Sequence, residues 1–349
     1  MNVTITGATG FFGHALLQVA LRQADSVRAL VRRPADETRL RALGAHTVRG
    51  DLSTPGGCRG LVAPGDVVVH AAARVELVGR WSEFQRGTVD ITRHLLDAAL
   101  PQKPARFVYV SSAAVYSPTA ATPLIGADHT PTQPTPDNLY GRAKLAAERL
   151  VRRRCDEAGC PWTIVRLAFL YGPRNQTLLD RLAVLHARGR LLYLVGDGQN
   201  RIATLYNDDA AAAVWSAATH PAGARKVYDA ASAERVTQEQ FVNAHAALLG
   251  LPPVRQRIAR PAAYAAGWVA EFVSVLAGRQ PAISRCTARL MGTDQVVDAA
   301  RLQADTGWCP QVSFAEGMER TRAWWCDRSV AARGPVRWPT QLVGGKQSA

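Results

Sequence analysis

Tyr140 and Lys144 stand four residues apart in "YGRAK", a spacing that puts both side chains on one face of a helix. The chain has 8 Tyr and its only lysines are Lys103, Lys144, Lys226 and Lys346, so such a pair arises by chance about 0.1 times. An ammonium beside a phenol favours the phenolate and is expected to bring its pKa down from about 10. Tyr140 could then pass a proton to or from a substrate oxygen. Upstream, "FVYVSSAAVY" ends an apolar run in two hydroxyls, Ser111 and Ser112, either of which could hydrogen-bond that oxygen. At the start of the chain, "NVTITGATGFFGHALL" sets Gly7, Gly10 and Gly13 three apart directly behind another apolar run. Without Cβ atoms the chain can turn sharply, and a pyrophosphate can approach the N–H groups opening the next helix. Together these features call for a dinucleotide whose nicotinamide exchanges hydride while Tyr140 exchanges the proton.

Placing these residues at one edge requires a regular scaffold, and the first half of the chain supplies its pattern. Apolar runs at Asn2 to Thr6, Val27 to Val31, His46 to Gly50, Val67 to Ala71, Phe107 to Ser111 and 162 to 170 alternate with helical periodicity at His14 to Gln23, at Thr88 to Leu100 and from near Tyr140. Continuous apolar strands separated by helices predict a parallel sheet covered on both faces. Ligands of such sheets bind outside the carboxyl ends of the strands, which is where the glycines and serines fall. The regularity weakens after residue 170. "LLYLVGDGQNRIATLYNDDAAAAV" predicts a strand, a glycine turn and a helix start, and residues 232 to 328 read as mainly helical with Pro breaks. The division expected is a dinucleotide domain over 1–170 with returns from 200–230, a substrate lobe over 171–328, and a tail over 329–349 without periodicity that reads as disordered.

The 349 residues carry 42 basic against 28 acidic side chains, a formal charge of +14. The arginines are scattered and no basic run interleaves with aromatics, which argues against nucleic-acid binding. The six cysteines include no CxxC pair and no finger spacing, so no metal is expected and the chain reads as reduced and cytoplasmic. "AAYAAGWVAEFVSVLA" at 262 to 277 carries Glu271 and falls short of the roughly 20 residues needed to span a bilayer. It reads as a mostly buried helix, with a membrane-surface or substrate-entry element as the alternative.

TGxxGxxG, SSxxVY and YxxxK together resemble the extended branch of the short-chain dehydrogenase/reductase superfamily, and the matches run over nearly residues 1 to 327. The resemblance implies a Rossmann-type doubly wound α/β fold, a Ser-Tyr-Lys mechanism with Ser112 as the working serine, and a homodimer as a common assembly. It implies that Thr9, Phe11 and Phe12 join the three glycines at the cofactor. Asp51 and Leu52 would sit at the adenine, Ala71, Ala72 and Ala73 would line the dinucleotide, and Leu167 and Phe169 would pass the nicotinamide. Where an NAD-selective protein places an acid after the second strand, this chain has Arg32 and Arg33, whose guanidinium forks suit a 2′-phosphate, so NADP is expected ahead of NAD. In "GTVDITRHLL", Thr88 and Ile91 replace the Asn and Gly of the usual NVxGT segment. His70 reads as a packed strand-end residue rather than a base.

The C-terminal third resembles the 3β-hydroxysteroid dehydrogenase and dihydroflavonol reductase group, which implies a hydrophobic small-molecule substrate and an apolar pocket formed by Trp81, Phe84 and the helix around Trp268. "VGDGQNRIATLYNDD" also resembles a nucleotide-sugar epimerase or dehydratase loop, in which Arg201 would hold a phosphate. A dinucleotide-binding regulator without turnover is the third reading.

Overall fold

The computed structural model describes residues 1–76, 78–116, 124–126, 134–176, 178–180, 182, 193–277 and 283–331. Its centre is a seven-stranded parallel sheet of β1 (Asn2–Thr6), β2 (Ser26–Val31), β3 (His46–Arg49), β4 (Val67–His70), β5 (Arg106–Ser112), β6 (Trp162–Leu167) and β7 (Lys226–Ala230). They lie in the order β7-β6-β5-β4-β1-β2-β3. The chain builds outward from β1 in one direction and then crosses to β4 and builds in the other, so a crevice opens between β1 and β4 at their carboxyl ends.

Alternation along the strands sends residues to two different cores. Val67, Val69, Val108 and Val110 join Ile5, Leu16 and Val214 on one face, whereas Val68, Phe107 and Tyr109 join Leu95, Leu96 and Val151 on the other. Both faces are buried, so the sequence shows an unbroken apolar run. Each of these side chains contributes about 1.5–3 kcal/mol on burial. The first face is covered by α1 (Phe11–Gln23) and by Asn207–Thr219, the second by α3 (Ile91–Ala99) and α4 (Leu139–Glu157), with α2 (Pro34–Ala42) beside β2 and β3. Asn207–Thr219, α5, has Ala210, Ala211 and Ala213 fully buried, and these small side chains let it lie close against α1.

A smaller lobe has its own core of Tyr171, Leu179, Ile202, Tyr206, Val236, Phe241, Leu248, Phe314 and Met318. Its helices are α6 (Gln238–Leu248), α7 (Arg260–Ala277), α8 (Arg285–Met291) and α10 (Phe314–Ala331), whereas α9 (Ala300–Thr306) returns to the main domain and packs Leu302 against β7 and α5. Among the described residues no helix is long and apolar enough to cross a membrane.

Four elements differ from the sequence reading. The helix expected from Thr88 begins as a π-turn over Gln85–Asp90 and ends in a 3₁₀ turn over Leu100–Gln102. The turn is met by the loop after β4: Arg74 N–H reaches the Gly87 carbonyl at 2.9 Å, and a Cβ on Gly87 would lie 2.9 Å from the Arg74 Cβ. The strand expected over 162–170 breaks at Ala168, and Phe169–Tyr171 leaves the main sheet to pair with Thr204–Tyr206. The helix expected to be mostly buried, α7, instead exposes Trp268, Val269, Phe272 and Val273. The last helix continues through Ala331 rather than stopping at 328, and the rest of the expected tail, 332–349, lies outside the described residues.

Candidate active site

The start of α4 is fastened to the end of β5 by Asn138. Its carboxamide oxygen caps the helix by accepting from Gly141 N at 2.8 Å, while its amide group donates to the Ala114 carbonyl at 2.8 Å. Gly141 has to be glycine here, because a Cβ would stand 2.1 Å from that same carbonyl oxygen. The close approach brings Tyr140 beside Ser112. One turn later Lys144, 3% exposed, donates to the Val110 carbonyl at 2.7 Å. Its Nζ lies 6.0 Å from the centre of the Tyr140 ring.

The strand's pleat separates the two candidate serines. Ser111 points inward and donates to Glu148 Oε1 at 2.5 Å, while Ser112 faces Tyr140 and accepts from Ala114 N at 3.2 Å. Glu148 lies one turn beyond Lys144 and is gripped by Arg166, with Nε to Oε1 at 3.0 Å and Nη2 to Oε2 at 2.7 Å. Arg166 Nη1 also donates to Tyr116 Oη, whose hydroxyl donates to Asp229 at 2.8 Å. This buried network joins β5, α4, β6 and β7 directly behind the Ser-Tyr-Lys group. No sequence motif marks it, although Glu148, one turn further along the face of Tyr140 and Lys144, and Arg166, inside an apolar strand, are both visible in the sequence.

Burial sets the protonation of the site. It pushes the Tyr140 phenol up to about 12, with the Ser112 side chain opposing, and pushes the Lys144 ammonium down to about 7, with Glu148 opposing. The phenol pKa therefore does not fall as the YxxxK spacing predicted. In this structure the ammonium is spent on a strand carbonyl, and desolvation outweighs its field. His70 is held down to about 3 by burial, with Lys144 adding to the effect. Thr92 donates to the Thr88 carbonyl at 2.7 Å, so its Oγ1 accepts from His70 Nε2 at 3.0 Å, and Nδ1 accepts from Thr6 at 2.7 Å. Both ring nitrogens are satisfied in the neutral form, which suits a structural role.

The glycine turn shows three different constraints. Gly7 has φ +78° and a Cβ there would lie 2.7 Å from Ala72 N, so it lets β1 abut the end of β4. A Cβ on Gly13 would lie 2.0 Å from the Gly7 carbonyl oxygen, so it lets α1 close on the turn. At Gly10 the nearest atom to a Cβ would be 3.4 Å away. Space inside the fold does not explain that glycine, whereas close approach by a ligand would. The amino end of α1 has no side-chain cap and no acid in its first turn, which leaves its N–H groups to an anion.

Beside this turn a cleft of about 690 Å³ is lined by Gly7, Thr9, Arg32, Arg33, Asp51, Leu52, Ala72 and Ala73 among others. Arg33 is tied to Asp36 at 2.8 Å, whereas Arg32 makes no ion pair or hydrogen bond among the described residues. Asp51 accepts from Ser53 N at 2.9 Å, and that bond holds its carboxyl below the usual range, with the Arg32 charge adding to it. Along the sheet edge, Arg32 after β2, Gly7 after β1, Ala71 after β4 and Ser112 at the end of β5 form a row spanning three strand spacings, about 14 Å. Leu167 continues it as the register partner of Ser112 on β6. This order fits an elongated dinucleotide: ribose end, pyrophosphate turn, small-residue floor and reacting group.

Other expected residues lie elsewhere. Phe12 packs against the core, while the Phe11 carbonyl accepts from Asn207 at 3.3 Å. Thr88 is buried, and its hydroxyl accepts from Arg74 N at 3.3 Å. Phe169 is exposed and meets Phe241 edge-on at 5.3 Å. The pocket expected from Trp81, Phe84 and Trp268 does not form from these three. Trp81 lies under Arg142 of α4 at 5.0 Å, Phe84 is fully buried under Arg74, and Trp268 points outward. Arg201 lies in a two-residue strand, its N–H donating to Asp294 at 2.7 Å.

A family model for the NAD dependent epimerase/dehydratase family matches residues 3–231. The chain belongs to this family. Among family relatives, a 2-alkyl-3-oxoalkanoate reductase of Stenotrophomonas maltophilia is 31% identical over 330 residues, covering 93% of this chain and 99% of that protein. A 4-hydroxy-2-methyl-3-oxo-4-farnesyl-3,4-dihydroquinoline-1-oxide ketoreductase of Stigmatella aurantiaca is 27% identical over 326 residues, covering 92% of this chain and 96% of that protein. In structure, the chain is similar to a UDP-glucuronic acid 4-epimerase from Bacillus cereus in complex with UDP-glucuronic acid and NAD, at TM-score 0.71 and 19% identity over 94% of this chain and all of that one. That last likeness establishes the family's fold. With reductases and dehydrogenases among its relatives, this member of the epimerase/dehydratase family is an enzyme of the short-chain dehydrogenase/reductase type.

Proposed function

We propose that the protein is an NADPH-dependent reductase of a hydrophobic ketone of the 3-oxoalkanoate kind, using Ser112, Tyr140 and Lys144. The observation that carries this reading is the juxtaposition of Ser112 and Tyr140 at the end of β5 with a buried Lys144 behind them. The bound dinucleotide would supply hydride to the carbonyl carbon. Gly7, Gly10 and Gly13 with the open end of α1 would hold its pyrophosphate, Arg32 its 2′-phosphate, and Asp51 and Leu52 its adenosine.

Ser112 then donates a hydrogen bond to the carbonyl oxygen, and Tyr140 gives its proton to the same oxygen as charge develops there. A phenol held up near 12 is fully protonated at neutral pH, the state that reduction requires. The phenolate left behind is stabilised by Lys144, worth on the order of 2–3 kcal/mol across about 6 Å at an effective dielectric of about 20. The full-length likeness to a 2-alkyl-3-oxoalkanoate reductase and to a ketoreductase supports an apolar ketone over a sugar nucleotide, and the unpaired Arg32 supports NADPH over NADH.

The test follows NADPH and NADH oxidation by the purified chain with 2-alkyl-3-oxoalkanoates, bulky ketones and UDP-sugars. Tyr140→Phe should lower turnover by at least about 10²-fold while leaving NADPH affinity near normal. Retained turnover in that variant, or conversion of a UDP-sugar with no net cofactor consumption, would overturn the assignment.

A further inference from the structure

The helix α7 carries its charge inward and its apolar side chains outward. Ala263 and Gly267 form the buried seam against α8, so close that a Cβ on Gly267 would lie 2.7 Å from Arg285 N. Glu271, the one charged residue between 261 and 277, turns toward that seam and accepts from Arg285 N at 2.7 Å and from Arg285 Nε at 2.8 Å. The opposite side presents Trp268, Val269, Phe272 and Val273, 56%, 53%, 60% and 54% exposed. The Trp268 and Phe272 rings lie parallel with centres 6.2 Å apart. A surface helix of an ordinary globular protein has the reverse arrangement.

We propose that α7 is a docking helix that lies flat in the headgroup region of an anionic lipid bilayer, with Trp268, Val269, Phe272 and Val273 inserted. The surrounding charge selects this occupant. Residues 251–290 carry six arginines (Arg255, Arg257, Arg260, Arg279, Arg285 and Arg289) and the single acid Glu271. Arg255 and Arg260, at the amino end of the helix, make no ion pair among the described residues. A negative lipid surface attracts such a segment, whereas a second copy of this chain would bring the same positive charge against it. Tryptophan at the rim of an apolar face is a side chain suited to the lipid–water boundary. The helix is too short and too interrupted to span the bilayer, so it would rest on the surface.

The docking helix is also linked to the catalytic one. Tyr264 of α7 lies under Arg289 at 5.1 Å, and Arg289 pairs at 3.4 Å with Asp137, the residue before the Asn138 cap of α4. The inserted face and the start of the Tyr140 helix thus belong to one packed unit, so lipid contact would place the reacting end of the protein beside a store of apolar molecules. The proposal stands independently of the redox reading.

The experiment sediments the full chain with phosphatidylcholine vesicles containing about one-third phosphatidylglycerol, and with phosphatidylcholine vesicles alone. The expected result is binding to the anionic vesicles that weakens at high salt and on neutral ones. Trp268→Ser with Phe272→Ser should weaken binding at least about tenfold. Arg255→Glu with Arg260→Glu should abolish the preference for anionic vesicles. Both double variants should melt like the parent chain, since the altered side chains are exposed. Failure to sediment with either vesicle, sedimentation unchanged in the Trp268/Phe272 variant, or a dimer that this variant dissociates without any vesicle binding would each overturn the proposal.

Discussion

In β4 and β5, alternate residues feed two opposite cores and the ends of the strands bring Ala71 and Ser112 to the sheet edge. In the lobe, α7 touches its neighbour through Ala263, Gly267 and Glu271 and leaves its largest side chains in contact with solvent. The first region fixes its site by contacts with no tolerance, the second leaves a face for something else to cover. Backbone approach is tight in both regions, at Gly7 and at Gly267 alike; what separates them is that the strands bury side chains on both faces whereas α7 leaves one face uncovered.

The sharpest way to break the comparison is at the glycine turn. Gly13→Ala puts a methyl 2.0 Å from a backbone oxygen that cannot move without shifting β1, so destabilisation above about 3 kcal/mol is expected in denaturant unfolding. Gly10→Ala meets nothing closer than 3.4 Å in the fold. It should leave stability within about 1 kcal/mol while lowering dinucleotide affinity more than about tenfold in a binding titration. If both variants lose stability alike, the separation of a folding glycine from a ligand glycine fails.

Next in size is Glu148→Ala. It strips Arg166 of its bidentate partner and Ser111 of its acceptor in a site where the ion pair is 4% and 3% exposed. Leaving a buried guanidinium uncompensated costs about 3–5 kcal/mol, which calorimetry would read as a marked fall in Tm. An equal truncation in the lobe's outward face, at Phe272, should move Tm little.

How far the sequence carries follows the same division. The first strand is legible to the residue because an apolar run ending in glycine has a single reading, and YxxxK fixes the face shared by Tyr140 and Lys144. Ser111 and Ser112 cannot be separated from the sequence, because the phase of the pleat depends on Glu148 and Tyr140, both distant in the chain. The π-turn at Gln85–Asp90 depends on an N–H donated by Arg74, and the break at Ala168 on pairing with Thr204–Tyr206, neither of which leaves a local signal. The phenol pKa departs from the expected fall because spacing shows a neighbouring charge but not the Val110 carbonyl that occupies it or the burial that raises the phenol. An apolar helix also reads the same whether its apolar side turns inward or outward, so the exposure of Trp268 was hidden.

A pH titration sharpens the comparison further. Burial holds Lys144 at about 7 in the folded chain against about 10.4 when free. Between those values the unfolded chain binds the extra proton, so this group's contribution to stability rises with pH, by about 2 kcal/mol from pH 7 to 9. Asp229 works in the opposite sense at lower pH. Burial raises it to about 7, so the folded chain binds the extra proton between about 4 and 7, and stability from this group falls as pH rises through that range. Unfolding midpoints measured at pH 5, 7 and 9 should lose the upper rise in Lys144→Met and the lower fall in Asp229→Asn.

The smallest effect expected is the most local. Arg32 and Arg33 are equal in the sequence, but Asp36 holds Arg33 at 2.8 Å and leaves Arg32 facing the cleft beside Asp51. Of these two neighbours only Arg32 offers a 2′-phosphate an uncommitted guanidinium, so Arg32→Ala should weaken NADPH binding about tenfold, roughly 1.4 kcal/mol, and barely change NADH binding. Arg33→Ala leaves Asp36 held by Arg39 at 3.1 Å and should cost NADPH less, because the guanidinium removed was already paired. Equal losses for the two cofactors in Arg32→Ala would mean that the arginine holds the shared adenosine or pyrophosphate, and the preference for NADPH would then have to come from another part of the cleft.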